Sequence, residues 1–147
     1  MDYYHADANN YAVVGTPNRL EYDQGFFVKL GDGSADVKPI AHLYKTQVYA
    51  MARALGLPDD ITGSTPTTDT FSLPQGQDEF YFGLPYEKMD LGLYHLNAGL
   101  PAAELARALG CSEPNAEAVF AGIRAKRRTT AYLHAAPLLV RPVPEVA

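Results

Sequence analysis

The most informative segment of this sequence is YAVVGTPN, which runs from Tyr11 to Asn18. Four apolar residues that end at a glycine turn are typical of a short buried strand in a parallel sheet. Thr16 and Asn18 can each cap a helix that begins near Arg19. A strand, a tight turn and a helix form the α/β unit in which ligands bind beyond the carboxyl end of the strand. The segment therefore predicts an α/β fold.

The rest of the sequence is rich in helix signals and poor in strand signals. The other strand candidates are 26–28 and 37–40, and a glycine loop covers 31–36. A polar, turn-rich segment spans 62–78, and we expect the tail over 137–147 to be extended. Because these strands are too few for an α/β domain, the sequence predicts that only part of one is present. Helical spacing of apolar residues predicts further helices over 43–55, 86–97, 102–109 and 115–133.

Composition and charge narrow the classes of function. The chain has 147 residues, a net charge of −5 and 47% hydrophobic residues, as expected for one soluble globular domain. The sequence contains no apolar run of about 18 residues, so it predicts no membrane span. One cysteine, Cys111, and a start without a signal sequence predict a cytoplasmic protein. The acidic charge disfavours nucleic-acid binding.

Five polar side chains are candidates for chemistry, and each also has a structural explanation. Glu21 could ligate a hard cation, although most helix glutamates are simply solvated. Read alone, Asp32 and Asp36 are turn residues that bond their own backbone. Lys45 would be an exposed charge at a helix start, and Thr67 could cap a helix or bind phosphate. None of these residues identifies a function by itself.

A DNA-binding module is one alternative. Residues 103–112, followed by Val119 and Ile123, have the pattern of a helix-turn-helix. Basic residues gather just beyond, over 124–128. Two amphipathic helices joined by a glycine turn are also common in proteins that bind no DNA.

Seven segments occur in a regular order, and they are 15–21 (GTPNRLE), 25–36 (GFFVKLGDGSAD), 39–40 (PI), 43–48 (LYKTQV), 52–58 (ARALGLP), 66–69 (PTTD) and 82–90 (FGLPYEKMD). Together they closely resemble the carboxyl-terminal half of ammonia-dependent NAD+ synthetases. The resemblance covers about residues 10–90 and continues less clearly to residue 128. Several motifs in order are far more specific than one glycine-rich motif.

The resemblance implies a fold and a reaction. The expected fold is an adenine-nucleotide α-hydrolase-like (Rossmann-like) parallel-sheet domain with a helix-rich carboxyl-terminal half. In the expected reaction, the nicotinate carboxylate of deamido-NAD+ attacks the α-phosphate of ATP. Ammonia then displaces AMP from the adenylate to give NAD+. Mg²⁺ is the expected cofactor, and a homodimer is the expected assembly.

The resemblance also implies roles for individual residues. Thr16, Lys45 and Thr67 would bind ATP, and Glu21 would ligate Mg²⁺. Asp32 belongs to the loop beside the substrate and would shape it. The residues expected to hold deamido-NAD+ are Lys29, Asp36 and Lys126, the last as the nearest match to a His-Lys pair of the family.

One departure from the family is large. Its members bind the pyrophosphate of ATP in a Ser-Gly-Gly-x-Asp-Ser loop, and this sequence contains no such segment. We therefore expect residues 1–147 to be the carboxyl-terminal portion of one catalytic domain. A catalytically inactive fragment that binds nucleotide or dimerises is the alternative to an active ligase.

Overall fold

Helices dominate the computed structural model, which describes residues 1–68 and 75–145. They are α1 (Asp2–Asn9), α2 (Arg19–Gln24), α3 (Lys45–Ala54), α4 (Asp59–Thr62), α5 (Tyr86–Asn97), α6 (Ala102–Leu109) and α7 (Glu113–His134), and a π-helical turn spans Asp78–Phe82. The predicted bounds of α5 and α6 are confirmed, and those of α3 and α7 differ by two residues or fewer. The sequence pattern did not predict α1, α4 or the π-helical turn.

The run 11–14 forms one bridge instead of a buried strand. Val14 pairs with Val37 in parallel orientation, and Gly15 N donates to Val37 O at 2.8 Å. The parallel orientation is thus confirmed. Burial is limited to Val13, whereas Val14 is 60% exposed, so the prediction of a buried strand is wrong for most of the run. One bridge cannot cover the two faces of a strand, as the neighbours in a parallel sheet do.

The strand candidate at 26–28 is a loop. Gly25 adopts a left-handed φ of 74°, and Phe26 N donates to Glu21 O at 2.8 Å, which ends α2. The Phe26 ring then packs on the Tyr81 ring, with 4.5 Å between the centroids. Its apolar character therefore reflects core packing after a helix end, and not a place in a sheet.

Two apolar clusters hold the helices together. Leu96 and Val119 are partly buried in both clusters and make them continuous. Helices α5 and α7 approach closely because Gly92 has no side chain; a Cβ there would lie 2.8 Å from Val119 Cγ1. The buried members are Leu20, Phe82, Tyr86, Met89, Leu93 and Ile123 in the first cluster, and Leu105, Ala106, Ala116 and Phe120 in the second.

Helix α3 lies largely outside this core. Its periodicity predicts an apolar stripe of Tyr44, Val48, Met51 and Leu55, yet no residue of α3 is buried. Met51 is 39% exposed and Leu55 is 72% exposed, so the predicted stripe is wrong in its second half. The helix is fixed at its first turn instead, where the carboxylate of Asp90 on α5 accepts a hydrogen bond from the backbone of α3.

Within residues 1–68 and 75–145, none of the helices has the length and hydropathy that a membrane span requires.

The two ends of the chain are less tightly packed. Residues 135–145 contain no helix or strand, and Leu138 and Val140 are almost fully exposed. The last two residues of the tail predicted to be extended lie outside the described residues.

Candidate functional site

A cavity of about 400 Å³ opens between the starts of α2 and α3. It brings together four of the polar residues that the sequence singled out: Thr16, Glu21, Asp32 and Lys45. The turn after Val14 supplies the first, and the glycine loop supplies the third. The complete lining is Thr16, Pro17, Asn18, Glu21, Phe26, Asp32, Ile40, Lys45, Val48 and Gln77.

Glu21 is held in place by the start of its own helix. Asn18 caps α2, because its Oδ1 accepts from Leu20 N at 2.9 Å and from Glu21 N at 3.3 Å. In return, Asn18 N donates to Glu21 Oε2 at 2.8 Å. This reciprocal capping box uses one carboxylate oxygen of Glu21, and the side chain still lines the cavity.

The charge on Glu21 is costly in this position. Burial raises the pKa of its carboxyl, and nearby Asp32 adds to the rise, while the Asn18 hydrogen bonds and Lys45 oppose it. A buried anion that receives only partial compensation favours binding of a cation. The site therefore has one half-buried carboxylate for which a cation would be a favourable partner.

Lys45 lies on the first turn of α3 and lines the same cavity as Glu21. Its ammonium is 5.4 Å from the centroid of the Tyr49 ring and 5.3 Å from that of the Tyr86 ring. The ion pairs of the described residues are Arg124 with Glu117 and Arg127 with Asp23, so Lys45 belongs to neither. Its ammonium thus forms no direct ion pair there, although its charge stabilises the carboxylate of Glu21.

The two acids of the glycine loop accept hydrogen bonds from backbone amides. Asp32 Oδ1 accepts from Val28 N at 2.8 Å, and Asp36 Oδ2 accepts from Val13 N at 2.7 Å. Gly33 is required by close packing, because a Cβ there would lie 2.3 Å from the Phe27 ring. Asp32 bonds a nearby backbone amide, as the structural explanation predicted, whereas Asp36 bonds an amide 23 residues away and is not a turn residue of that kind. Asp32 also lines the cavity, whereas Asp36 does not.

Three other predicted site residues lie outside the cavity lining. Lys29 Nζ donates to the carbonyl oxygens of Tyr132, at 3.0 Å, and Ala135, at the end of α7. Thr67 forms an isolated bridge with Gly76. Their roles stay predictions, and Asp69 of the same motif as Thr67 lies outside the described residues.

Lys126 lines a different cavity, of about 420 Å³, which is mainly apolar and lies among α5, α6 and α7. Its ammonium is 5.4 Å from the centroid of the Tyr81 ring, and burial lowers the pKa of this lysine. The structure thus places Lys126 apart from Glu21 and Lys45. Its predicted contact with deamido-NAD+ remains a prediction.

Sequence reasoning missed two residues at the first cavity. Gln77 lines it from the π-helical side, and Tyr86 covers the ammonium of Lys45. The Tyr86 hydroxyl donates to Gln77 Oε1 at 2.8 Å. Tyr86 lies in a quoted motif, but its helical spacing predicted only a core residue. No local pattern marks Gln77, which reaches the cavity through the tertiary fold.

A metal ion would need ligands from outside these side chains. No group of three or more His, Cys, Asp or Glu residues that could hold a metal occurs in the described portions of the chain. The first cavity offers the carboxylates of Glu21 and Asp32. One or two carboxylates together with phosphate oxygens and water are the usual ligands of Mg²⁺ beside a nucleotide. The acids present fit a magnesium ion that arrives with a phosphate ligand.

The charges on α7 bear on the helix-turn-helix alternative. A recognition helix contacts bases with its first residues, and α7 begins with the acidic Glu113. Two of the basic residues further along are paired, Arg124 with Glu117 at 3.0 Å and Arg127 with Asp23 at 2.6 Å. These features argue against the helix-turn-helix alternative.

Comparison with known proteins gives consistent matches. The sequence profile described as NAD synthase matches residues 1–130. The chain is 62% identical to the NH3-dependent NAD+ synthetase of Rhizobium meliloti (strain 1021), over 99% of this chain and 44% of that protein. It is 61% identical to the enzyme of the same name from Rhizobium rhizogenes, over 97% of this chain and 43% of that protein. The chain thus spans less than half the length of these curated relatives.

Two solved structures share the fold. NMN synthetase from Francisella tularensis matches with a TM-score of 0.67 and 23% identity, over 93% of this chain and 50% of that one. The NH3-dependent NAD synthetase from Campylobacter jejuni matches with a TM-score of 0.66 and 24% identity, over 95% of this chain and 49% of that one. These matches confirm the predicted adenine-nucleotide α-hydrolase-like fold.

Proposed function

This chain belongs to the NAD synthase family, and on that basis we propose that it is the carboxyl-terminal portion of an ammonia-dependent NAD+ synthetase. The reaction is the ATP-dependent amidation of deamido-NAD+. A nicotinate carboxylate oxygen attacks the α-phosphorus of ATP, and pyrophosphate leaves. Ammonia then attacks the acyl carbon of the adenylate, and AMP leaves as NAD+ forms.

One observation carries this proposal: Thr16, Glu21 and Lys45 line the same cavity. A triphosphate needs a cation opposite its oxygens, and Lys45 offers an ammonium that forms no direct ion pair within the described residues, although its charge also stabilises the carboxylate of Glu21. Thr16 offers a hydroxyl on the turn beside α2. We assign the nucleotide phosphates to this cavity, with Thr67 as a further contact to ATP.

We assign the magnesium ion to Glu21. Its carboxylate lines the cavity, and burial raises its pKa, so a divalent cation would relieve the cost of its charge. Mg²⁺ would supply charge compensation for the triphosphate and for the pyrophosphate that leaves. The task of this chain is to hold that carboxylate in the orientation set by the Asn18 cap.

We assign Lys29, Asp36 and Lys126 to deamido-NAD+. None of the three lines the nucleotide cavity, so they would contact parts of the dinucleotide away from the triphosphate. We further propose a homodimer in the cytoplasm. The free thiol of Cys111 is compatible with a reducing compartment.

The second candidate function is a fragment that binds nucleotide without turnover. It is supported by the lack of a Ser-Gly-Gly-x-Asp-Ser segment in the 147 residues. The chain also spans only 44% of a relative that is 62% identical to it. Both functions require nucleotide binding, so they differ in catalysis alone.

Calorimetric titration of ATP-Mg²⁺ and of deamido-NAD+ into the chain tests the proposal. Lys45→Ala should weaken ATP-Mg²⁺ binding by roughly tenfold or more, because a charged contact to phosphate is lost. Lys88→Ala, at an exposed lysine of α5, is the matched control and should bind as wild type. Equal ATP-Mg²⁺ affinity of wild type and Lys45→Ala would show that the nucleotide does not bind in this cavity. Formation of NAD+ from deamido-NAD+, ATP and ammonia would then separate the ligase from the inactive fragment.

A further inference from the structure

The ammonium of Lys45 contacts two aromatic rings. Tyr49, one turn along α3, contacts it at 5.4 Å from the ring centroid. Tyr86, at the start of α5, contacts it at 5.3 Å. Both distances lie within the range of cation–π attraction, which is about 6 Å. The direct contacts of this ammonium are therefore neutral rings, while the carboxylates of Glu21 and Asp90 act on its charge without forming an ion pair.

The choice of neutral groups has a chemical consequence. A carboxylate paired directly with the Lys45 ammonium would compete with an anionic ligand more strongly than Glu21 and Asp90, which interact with its charge without an ion pair. An aromatic face attracts the ammonium through its quadrupole and leaves the net charge unchanged. Burial raises the pKa of Tyr86, and Glu21 and Asp78 add to the rise, so this ring stays a neutral phenol.

Helix α5 holds Lys45 at two points, four residues apart. Asp90 accepts from Lys45 N at 3.3 Å and from Thr46 N at 2.8 Å, which fixes the backbone at the start of α3. Tyr86 fixes the side chain. Residues four apart lie on the same face of a helix, so one face of α5 contacts both the backbone nitrogen and the ammonium of Lys45.

The Tyr86 hydroxyl extends this arrangement to Gln77, which also lines the cavity. It donates to Gln77 Oε1 at 2.8 Å, and Gln77 Nε2 donates to the carbonyl oxygen of Thr67 at 3.2 Å. Tyr86 is 8% exposed, so this hydrogen bond is largely shielded from solvent. One buried side chain thus links Lys45 to the segment that carries Thr67.

We infer that Tyr86 is a positioning residue of the nucleotide site: its ring, with that of Tyr49, holds the Lys45 ammonium in the cavity, and its hydroxyl, through Gln77, sets the distance to the Thr67 segment. The inference rests on the proposed function for the role of Lys45 toward phosphate. The placement of Lys45 by Tyr86 is a physical claim that can be measured without catalysis.

The first measurement is nuclear magnetic resonance of the chain after reductive ¹³C-dimethylation of its five lysines. Dimethylation keeps the positive charge, and Lys45→Arg identifies the Lys45 signal. The rings should shift this signal upfield. Tyr86→Leu should return it about half of the way to the position of an exposed lysine, because the ring of Tyr49 remains, whereas Tyr86→Phe should leave it in place. Tyr94→Leu, at an exposed tyrosine of α5, is the control and should change nothing.

The second measurement is ATP-Mg²⁺ affinity of the same unmodified variants. Tyr86→Leu should weaken binding roughly fivefold to thirtyfold, and Tyr86→Phe, which loses only the bond to Gln77, roughly threefold. A Lys45 signal that is unmoved by Tyr86→Leu would overturn the inference. A moved signal with no ATP binding by any variant would support the positioning and refute the proposed function alone.

A direct contact measurement keeps the test decisive if Tyr86→Leu fails to fold. In the wild-type chain, a nuclear Overhauser effect should connect the Lys45 methyl groups to the ring protons of Tyr86. Its absence would overturn the inference without any variant. Its presence, with Tyr86→Phe retaining the shifted signal, would support it.

Discussion

Replacing Glu21 by Gln or by Ala should separate its structural role from its proposed role at the metal. Both substitutions remove the carboxylate charge from the cavity. Gln also serves at the third position of a capping box, so its side-chain oxygen can still accept from Asn18 N. Ala offers no acceptor. We expect Glu21→Gln to keep or increase stability and Glu21→Ala to decrease it, while both lose Mg²⁺-dependent ATP binding.

The size of the difference follows from the hydrogen bond that Ala removes. Asn18 is 2% exposed, and its backbone N–H donates to Glu21 Oε2 at 2.8 Å. A buried donor left without a partner costs about 1–3 kcal/mol. In a domain of this size each kcal/mol lowers Tm by about 2–4 °C. Glu21→Ala should therefore melt several degrees below Glu21→Gln.

The pH dependence provides an independent check of sign. Burial raises the pKa of Glu21 in the folded chain, so the fold binds this proton more tightly than the unfolded chain does. The stability that Glu21 contributes is present below its ordinary pKa and is lost as pH rises through the folded value. Relative to wild type, Glu21→Gln should thus gain stability as pH rises above about 4, the ordinary pKa of a glutamate.

Thermal melts of wild type and both variants at several pH values, paired with ATP-Mg²⁺ titrations, test this reasoning. If Glu21→Gln melts as low as Glu21→Ala at neutral pH, the capping explanation is wrong. If the difference in Tm between Glu21→Gln and wild type does not change with pH, the fold does not disfavour the charged form of the Glu21 carboxyl. Unchanged ATP-Mg²⁺ binding in Glu21→Gln would remove this residue from the metal site.

Two further contrasts test the packing. Gly92→Ala should lower the free energy of unfolding by about 1–3 kcal/mol, because its Cβ would lie 2.8 Å from the Val119 side chain of α7. Gly122→Ala should raise it by about 0.5–1 kcal/mol through helix propensity, because a Cβ there meets nothing within 4 Å. Thermal melts measure both effects. Arg127→Ala should lower Tm clearly, since its bidentate pair at 2.6 and 2.7 Å ties α7 to α2. Arg124→Ala, which breaks an exposed pair, should change Tm little.

Helix positions were predictable wherever packing follows local periodicity. Helices α5 and α6 bury one face against their neighbours, so the spacing of their apolar residues predicted their bounds. In α1 only Ala6 is buried and no side chain caps the helix, so no signal was available. The apolar stripe of α3 was misleading, because tertiary contacts fix that helix at its first turn.

Strands and cavity walls depended on partners distant in sequence. The run at 11–14 has the composition of a strand, yet the described chain gives it a single bridge. At the cavity, Glu21 and Lys45 lie in two of the quoted motifs, 15–21 and 43–48. Gln77 and Tyr86 reach the cavity only when α5 packs against α3, and a pattern in one sequence cannot reveal such a contact.

The capping box at Asn18 has a consequence for the order of folding. Asn18 and Glu21 are three residues apart, so the acidic wall of the cavity closes a very short loop and costs little chain entropy. The contacts between Lys45 and α5 span 41 residues at Tyr86 and 45 at Asp90. Contacts of such different range predict that the carboxylate is oriented in the earliest native-like species, and that the lysine reaches its position only when the helices dock.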